Sequence, residues 1–203
     1  TTQRFLSIYH GKNDPQKIRQ IFGNSMLLHI LIASILGVVL FCLGSWITHD
    51  FLNIAIERQQ AAWYVYNAAV VMLMLTFITA PIRALFIARE NIVYISIVDV
   101  VDGILKLLIA IGLSHIAYDH LVSYSVLMAG ITLVNLLAFS IYASAKFPEF
   151  YLPRLRDWDK QFIKELSHFA GWTTYSMGCI IGRNQGIAVV LNIFYGTIVN
   201  SAY

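Results

Sequence analysis

The run Ser96–Leu113, SIVDVVDGILKLLIAIGL, decides how this chain is read. It is apolar and long enough to be a membrane span, which takes about 18 residues or more. Yet it carries Asp99, Asp102 and Lys106. These fall at i, i+3 and i+7, so they share one helix face. Asp102 and Lys106 are four apart with the acid first, the favoured order for an ion pair. Each isolated charge near the bilayer centre costs about 2.5 to 3.5 kcal/mol on insertion scales. Lys106 sits ~12 to 15 Å from the outer end of its predicted helix, too far to snorkel with ease. That face is expected to turn away from lipid. Two readings follow: a self-neutralising pair that locks helices together, or part of a substrate or ion pathway.

Composition supports the membrane setting. Of 203 residues, 58% are hydrophobic and 12% charged, and mean hydropathy is +0.68. An ordinary soluble domain has about twice that charged fraction. The 11 Tyr, 12 Phe and 4 Trp suit helices with interfacial aromatic belts. The expected class is all-α, a polytopic transmembrane helical bundle. The chain begins without Met and ends in an apolar stretch, and it is read as a piece of a longer protein. Cys42 and Cys179 lie in apolar segments and are expected to be buried, free thiols.

Outward from the opening run, five apolar segments are expected as spans: about 22–47, 63–82, 92–116, 122–143 and 169–194. Each is about 20 to 26 residues, enough for ~30 Å of hydrocarbon. A sixth helix is expected after Gly196. Pro81 is expected to end or kink the second span. Of the 14 basic residues, eleven fall in alternate connections: Arg4, Lys12, Lys17 and Arg19; Arg83 and Arg89; Lys146, Arg154, Arg156, Lys160 and Lys164. The positive-inside rule then makes 1–21, 83–91 and 144–168 cytoplasmic. Arg83 and Arg89 are read as surface anchors. Asp14 and Pro15 form a helix start that should run straight into the first span. Phe162, Ile163, Leu166 and Phe169 keep a helical apolar spacing, expected of an interfacial helix before the fifth span. The long 144–168 connection divides the chain. Residues 1–145 are read as part of one bundle, 146–168 as a connection with an amphipathic helix, and 169–203 as the start of a second bundle.

No phosphate loop, nucleophile elbow or metal-ligand spacing stands out, so no catalytic residue, metal or cofactor is assigned and the chain is not read as an enzyme. The polar groups inside spans are the candidates instead. GRNQG places Arg183, Asn184 and Gln185 at mid-span between Gly182 and Gly186. Glycines loosen a helix and admit close neighbours, so a local break or wet surroundings is expected there. His29, inside the first span, is a further polar group.

Three stretches carry a resemblance. RFLSIYHGKNDPQKIRQIF resembles the cytoplasmic approach to the third span of Wzx-type oligosaccharide flippases, in the multidrug/oligosaccharidyl-lipid/polysaccharide exporter superfamily. TAPIRALFIARENIVYISIVDVVDGILKLL resembles their fourth-to-fifth span turn and fifth helix. FAGWTTYSMGCIIGRNQGIAVVLNIFYGTIVNSAY resembles their seventh span and the start of the eighth. This chain has Gly186 where many members carry an acidic residue. The resemblance implies a fragment of a two-bundle, MATE-like transporter in the bacterial inner membrane. It implies flipping of an undecaprenyl-pyrophosphate-linked oligosaccharide by alternating access, for O-antigen, capsule or other polysaccharide biosynthesis. The implied partners are that lipid-linked oligosaccharide, membrane lipid and polysaccharide assembly proteins, with no nucleic acid.

Under that reading Lys106 and Arg183 meet the anionic part of the substrate and Asn184 and Gln185 its hydroxyls. Asp99 and Asp102 tune Lys106 or couple an ion. The alternatives are a cation-coupled multidrug exporter of the same superfamily, and an integral-membrane polysaccharide polymerase or scaffold. The exporter needs acids without a neutralising partner, whereas Lys106 follows Asp102 by one turn. The polymerase is expected to show a large outward loop, and the outward connections here are short.

Overall fold

The computed structural model describes residues 2–51, 54–113, 119–154 and 158–202, and for 50–51, 184–186 and 188–202 the backbone alone. Among the described residues six α-helices carry the fold: α1 Thr2–Gly11, α2 Pro15–Trp46, α3 Gln59–Ala88, α4 Ile92–Gly112, α5 His120–Lys146 and α6 Lys160–Ala202. A π-helical turn, Ile47–Phe51, extends α2, and a 3-10 turn, Ile56–Arg58, leads into α3. The described residues are about 89% helical, with no strand among them. Pro15–His49, Ile56–Ala88 and His120–Lys146 are each long and apolar enough to cross a membrane. Helix is the form such sequences take, because it satisfies every backbone group within the segment.

The helix ends follow from local chemistry. Asp14 accepts the Lys17 N–H at 3.0 Å and Pro15 fills the first turn, so Lys17 and Arg19 lie on one continuous helix with the first span. Asp119 caps α5 by accepting from Leu121 and Val122. Helix α3 closes at Glu90, whose φ of 57° is left-handed. There the N–H of Asn91 returns to the Phe86 carbonyl at 2.9 Å. The α3–α4 connection is therefore only residues 89–91.

Two expectations are corrected. Pro81 does not end the second span, since α3 runs through it to Ala88. Pro removes one backbone hydrogen bond, but Pro81, Ile82, Leu85 and Phe86 are all buried, and that packing holds the last two turns. Arg83 consequently sits on a helix rather than in a loop. Likewise α6 runs unbroken through Gly182–Gly186 and past Gly196. A helical glycine costs only about 1 kcal/mol relative to alanine, too little to open a backbone hydrogen-bond ladder in an apolar segment.

The chain forms two compact units, residues 2–159 and the segment from Lys160 on. In the larger unit α3 is central, packed on α1, α2 and α5, while α4 leans mainly on α5. The core gathers where α3 turns into α4: Leu6, Phe22, Ile82, Leu85, Phe86, Phe139 and Ala143 are all within 1% of full burial. Phe86 stands among Tyr94, Phe139, Tyr142 and Phe147, with ring centroids 4.9 to 5.5 Å apart. At the other end Gly37 and Gly44 admit Met74 and the Tyr66 and Trp63 rings against α2. The Tyr66 hydroxyl donates to the Leu40 carbonyl at 2.8 Å. A side chain at Gly44 would overlap both rings. Gly44→Leu should therefore lower stability by about 1 to 3 kcal/mol, read as a fall in melting temperature of the detergent-solubilised protein.

Candidate functional site

Each of the three charges of α4 has a partner, two of them on neighbouring helices and one on α4 itself. The α3–α4 turn leaves Arg83 and Asp99 both roughly 10 Å along their helices from the turn. Arg83 donates to both carboxylate oxygens of Asp99, at 2.7 and 2.8 Å. This forked geometry is the strong form of a guanidinium–carboxylate contact. The Arg83 guanidinium also lies over the Phe139 ring, 5.2 Å from its centroid, so α3, α4 and α5 meet at one cation.

One turn further along α4, Asp102 accepts from two sides. Lys106 Nζ lies 2.7 Å from one oxygen. Asn135 Nδ2 of α5 donates to the other at 2.6 Å. Asp102 is 18% exposed, whereas Lys106 remains 47% exposed. Lys106 is thus paired with its acid while about half of its side chain stays exposed.

A third pair marks the end of the ladder. Arg89 and the buried Glu149 form an ion pair, joining the α3–α4 turn to the segment after α5. Beside it Asn91 Nδ2 donates to the Tyr142 hydroxyl at 3.1 Å, and the Tyr94 hydroxyl donates to the Ala138 carbonyl at 2.9 Å. At the opposite end Arg58 pairs with Asp119. Burial pushes the Asp119 carboxyl up, but the Val122 and Leu121 N–H groups and the Arg58 charge outweigh it and hold it below the usual carboxylate range.

Of the residues singled out in the sequence, Asp99, Asp102 and Lys106 come together on one face of α4. Arg183 lies on α6 and is exposed. Asn184 and Gln185 are on the same helix, but their side chains lie outside the described residues. His29 itself sets its Nδ1 2.7 Å from the Ser25 carbonyl on the preceding turn. Cys42 and Cys179 are free and exposed, not buried as expected, because both lie on helix faces that no described residue covers. No cluster of His, Cys, Asp or Glu among the described residues has the makings of a metal site.

Two partners escaped the sequence reading. The sequence makes Arg83 a surface anchor, because Pro81 is expected to stop the helix before it, whereas on the continuous α3 it grips Asp99. Asn135 gives the sequence only the weak signal of an amide at mid-span in an apolar run, the usual mark of an interhelical hydrogen bond, here to Asp102. Comparison with protein-family models, curated proteins and solved structures gave no match to this chain.

The Asp102–Lys106 pair is testable by a double-mutant cycle. Lys106→Met alone leaves a carboxylate with one partner fewer and should destabilise more than Lys106→Met with Asp102→Asn. A coupling of about 0.5 to 3 kcal/mol is expected from thermal unfolding in detergent. Purely additive effects would contradict the pair.

Proposed function

We propose that the chain is part of a non-enzymatic transporter of the bacterial inner membrane. It flips an undecaprenyl-pyrophosphate-linked oligosaccharide between leaflets by alternating access, as the Wzx-type resemblance implies. In this reading residues 1–145 belong to the first of two MATE-like bundles, 146–168 link the bundles, and 169–203 begin the second. Residues 1–21, 83–91 and 144–168 face the cytoplasm.

The observation that carries the reading is the half-exposed Lys106 side chain, paired with Asp102 on α4. A mid-membrane cation is expensive and is kept where an anionic group must be met. An ammonium has three N–H donors, and one contact with Asp102 leaves it able to engage a phosphate oxygen. Asp102 then acts as the resting counter-ion, which the substrate's pyrophosphate displaces or shares. In this reading Arg183 is a further cation for the anionic part of the substrate, and Asn184 and Gln185 serve its hydroxyls. Asp99, gripped by Arg83, holds α3 to α4 rather than carrying an ion. That pairing weighs against the cation-coupled drug exporter, since both acids of α4 already have cationic partners.

The test is export of surface glycan by the full-length protein. Lys106→Ala and Arg183→Ala should each abolish it while the protein still inserts and accumulates in the membrane. Normal glycan in both variants would sink the proposal.

A further inference from the structure

The two acids of α4 are held in different ways. Asp99 is gripped across helices by a cation, since Arg83 of α3 donates to both of its oxygens. Asp102 has a neutral partner across helices, the Asn135 amide of α5 at 2.6 Å. Its cation, Lys106, comes from its own helix at 2.7 Å. A forked guanidinium contact is tied to both oxygens and so to the register of α3 on α4. An i,i+4 lysine joins no two helices, and its flexible stem lets the ammonium swing aside while the backbones stay in place.

The contacts beside Asn135 fix its aim. One turn along α5 from it, Phe139 carries the Arg83 guanidinium on its ring, and the same guanidinium holds Asp99, one turn along α4 from Asp102. Further down, the Tyr94 hydroxyl donates to the Ala138 carbonyl and the Tyr94 and Tyr142 rings stack with centroids 4.0 Å apart. An ionised carboxylate only accepts, so the amide presents its NH2 to Asp102. The cross-helix contacts Arg83–Asp99, Asn135–Asp102 and Tyr94–Ala138 all survive when Lys106 departs.

What Lys106 leaves behind decides whether it can leave. A partly buried carboxylate stripped of every partner is costly. With an apolar residue at 135, Asp102 would depend wholly on Lys106. With an arginine there, Asp102 would be neutralised for good and Lys106 would rest unpaired. The amide does neither. Its charge-assisted hydrogen bond stays on Asp102, while the remaining negative charge still attracts Lys106 at rest. We propose that Asn135 is a positioning residue, which holds the Asp102 carboxylate so that Lys106 can be given up to the pyrophosphate of the lipid-linked substrate. It acts through Asp102 rather than on the substrate. This rests on the transport reading above and adds the group that makes the resting counter-ion exchangeable.

The full-length protein in detergent is titrated with undecaprenyl pyrophosphate, with undecaprenol as the uncharged control, and retention is read by native mass spectrometry. Wild type should prefer the pyrophosphate. Asn135→Leu, which loses the amide, should weaken its retention about tenfold or more. Adding Asp102→Asn should restore most of that affinity, because Lys106 then has no carboxylate to abandon. A packing role for Asn135 would leave the double variant no better than the single one. Wild-type affinity in Asn135→Leu, or no recovery in the double variant, would overturn the proposal. A wild type that binds both lipids alike would instead refute the transport reading. The role of Asn135 toward the pair is then decided by thermal unfolding. The Asp102–Lys106 coupling must be larger in the Asn135→Leu background than in wild type, and an equal or smaller coupling rejects it. Should Asn135→Leu not fold, the shorter Asn135→Ser takes its place with the same outcomes.

Discussion

A charge within an apolar helix must be met at its own depth, and the larger unit is arranged around that constraint. Three isolated charges on α4 would cost about 8 to 10 kcal/mol in hydrocarbon, comparable to the whole stability of an ordinary domain. The chain meets this with Arg83 from α3, Asn135 from α5 and an acid–lysine pair along α4 itself. The register of α3, α4 and α5 is thereby set by polar contacts. Dispersion packing around Phe86 and Phe139 then fills the space those contacts define.

The distribution of polarity explains why α4 differs from its neighbours. Helices α2, α3 and α5 reach the composition of a membrane span, whereas α4, of 21 residues, carries three charges on one face. Its other face, with Val93, Val100, Leu107 and Ile111, is exposed and apolar. Such a helix is content with lipid on one side only. This is also what makes Lys106 a candidate for function: it belongs to the polar side yet is not enclosed by it.

Much of this was legible in the residues. The i, i+3, i+7 spacing placed Asp99, Asp102 and Lys106 together, and the Asp14–Pro15 signal marked where α2 begins. The partners were less legible, for physical reasons. Pro81 is a helix breaker by local propensity, and only the burial of Ile82, Leu85 and Phe86 overrides it; without that tertiary information Arg83 reads as loop. The glycines around Arg183 mislead in the same way, because a small local cost is set against a hydrogen-bond ladder that an apolar setting enforces. The Asn24–Asp159 contact joins residues 135 apart, a separation at which no local pattern speaks.

The central claim, that α4 is seated by charge pairing with its neighbours, is tested most directly by exchanging one pair. In the full-length protein, Arg83→Asp and Asp99→Arg should each reduce the folded, membrane-inserted protein sharply. Combined, they restore an opposite-charge pair at the same depth and should recover most of the thermal stability. Recovery no better than the worse single variant would contradict the account.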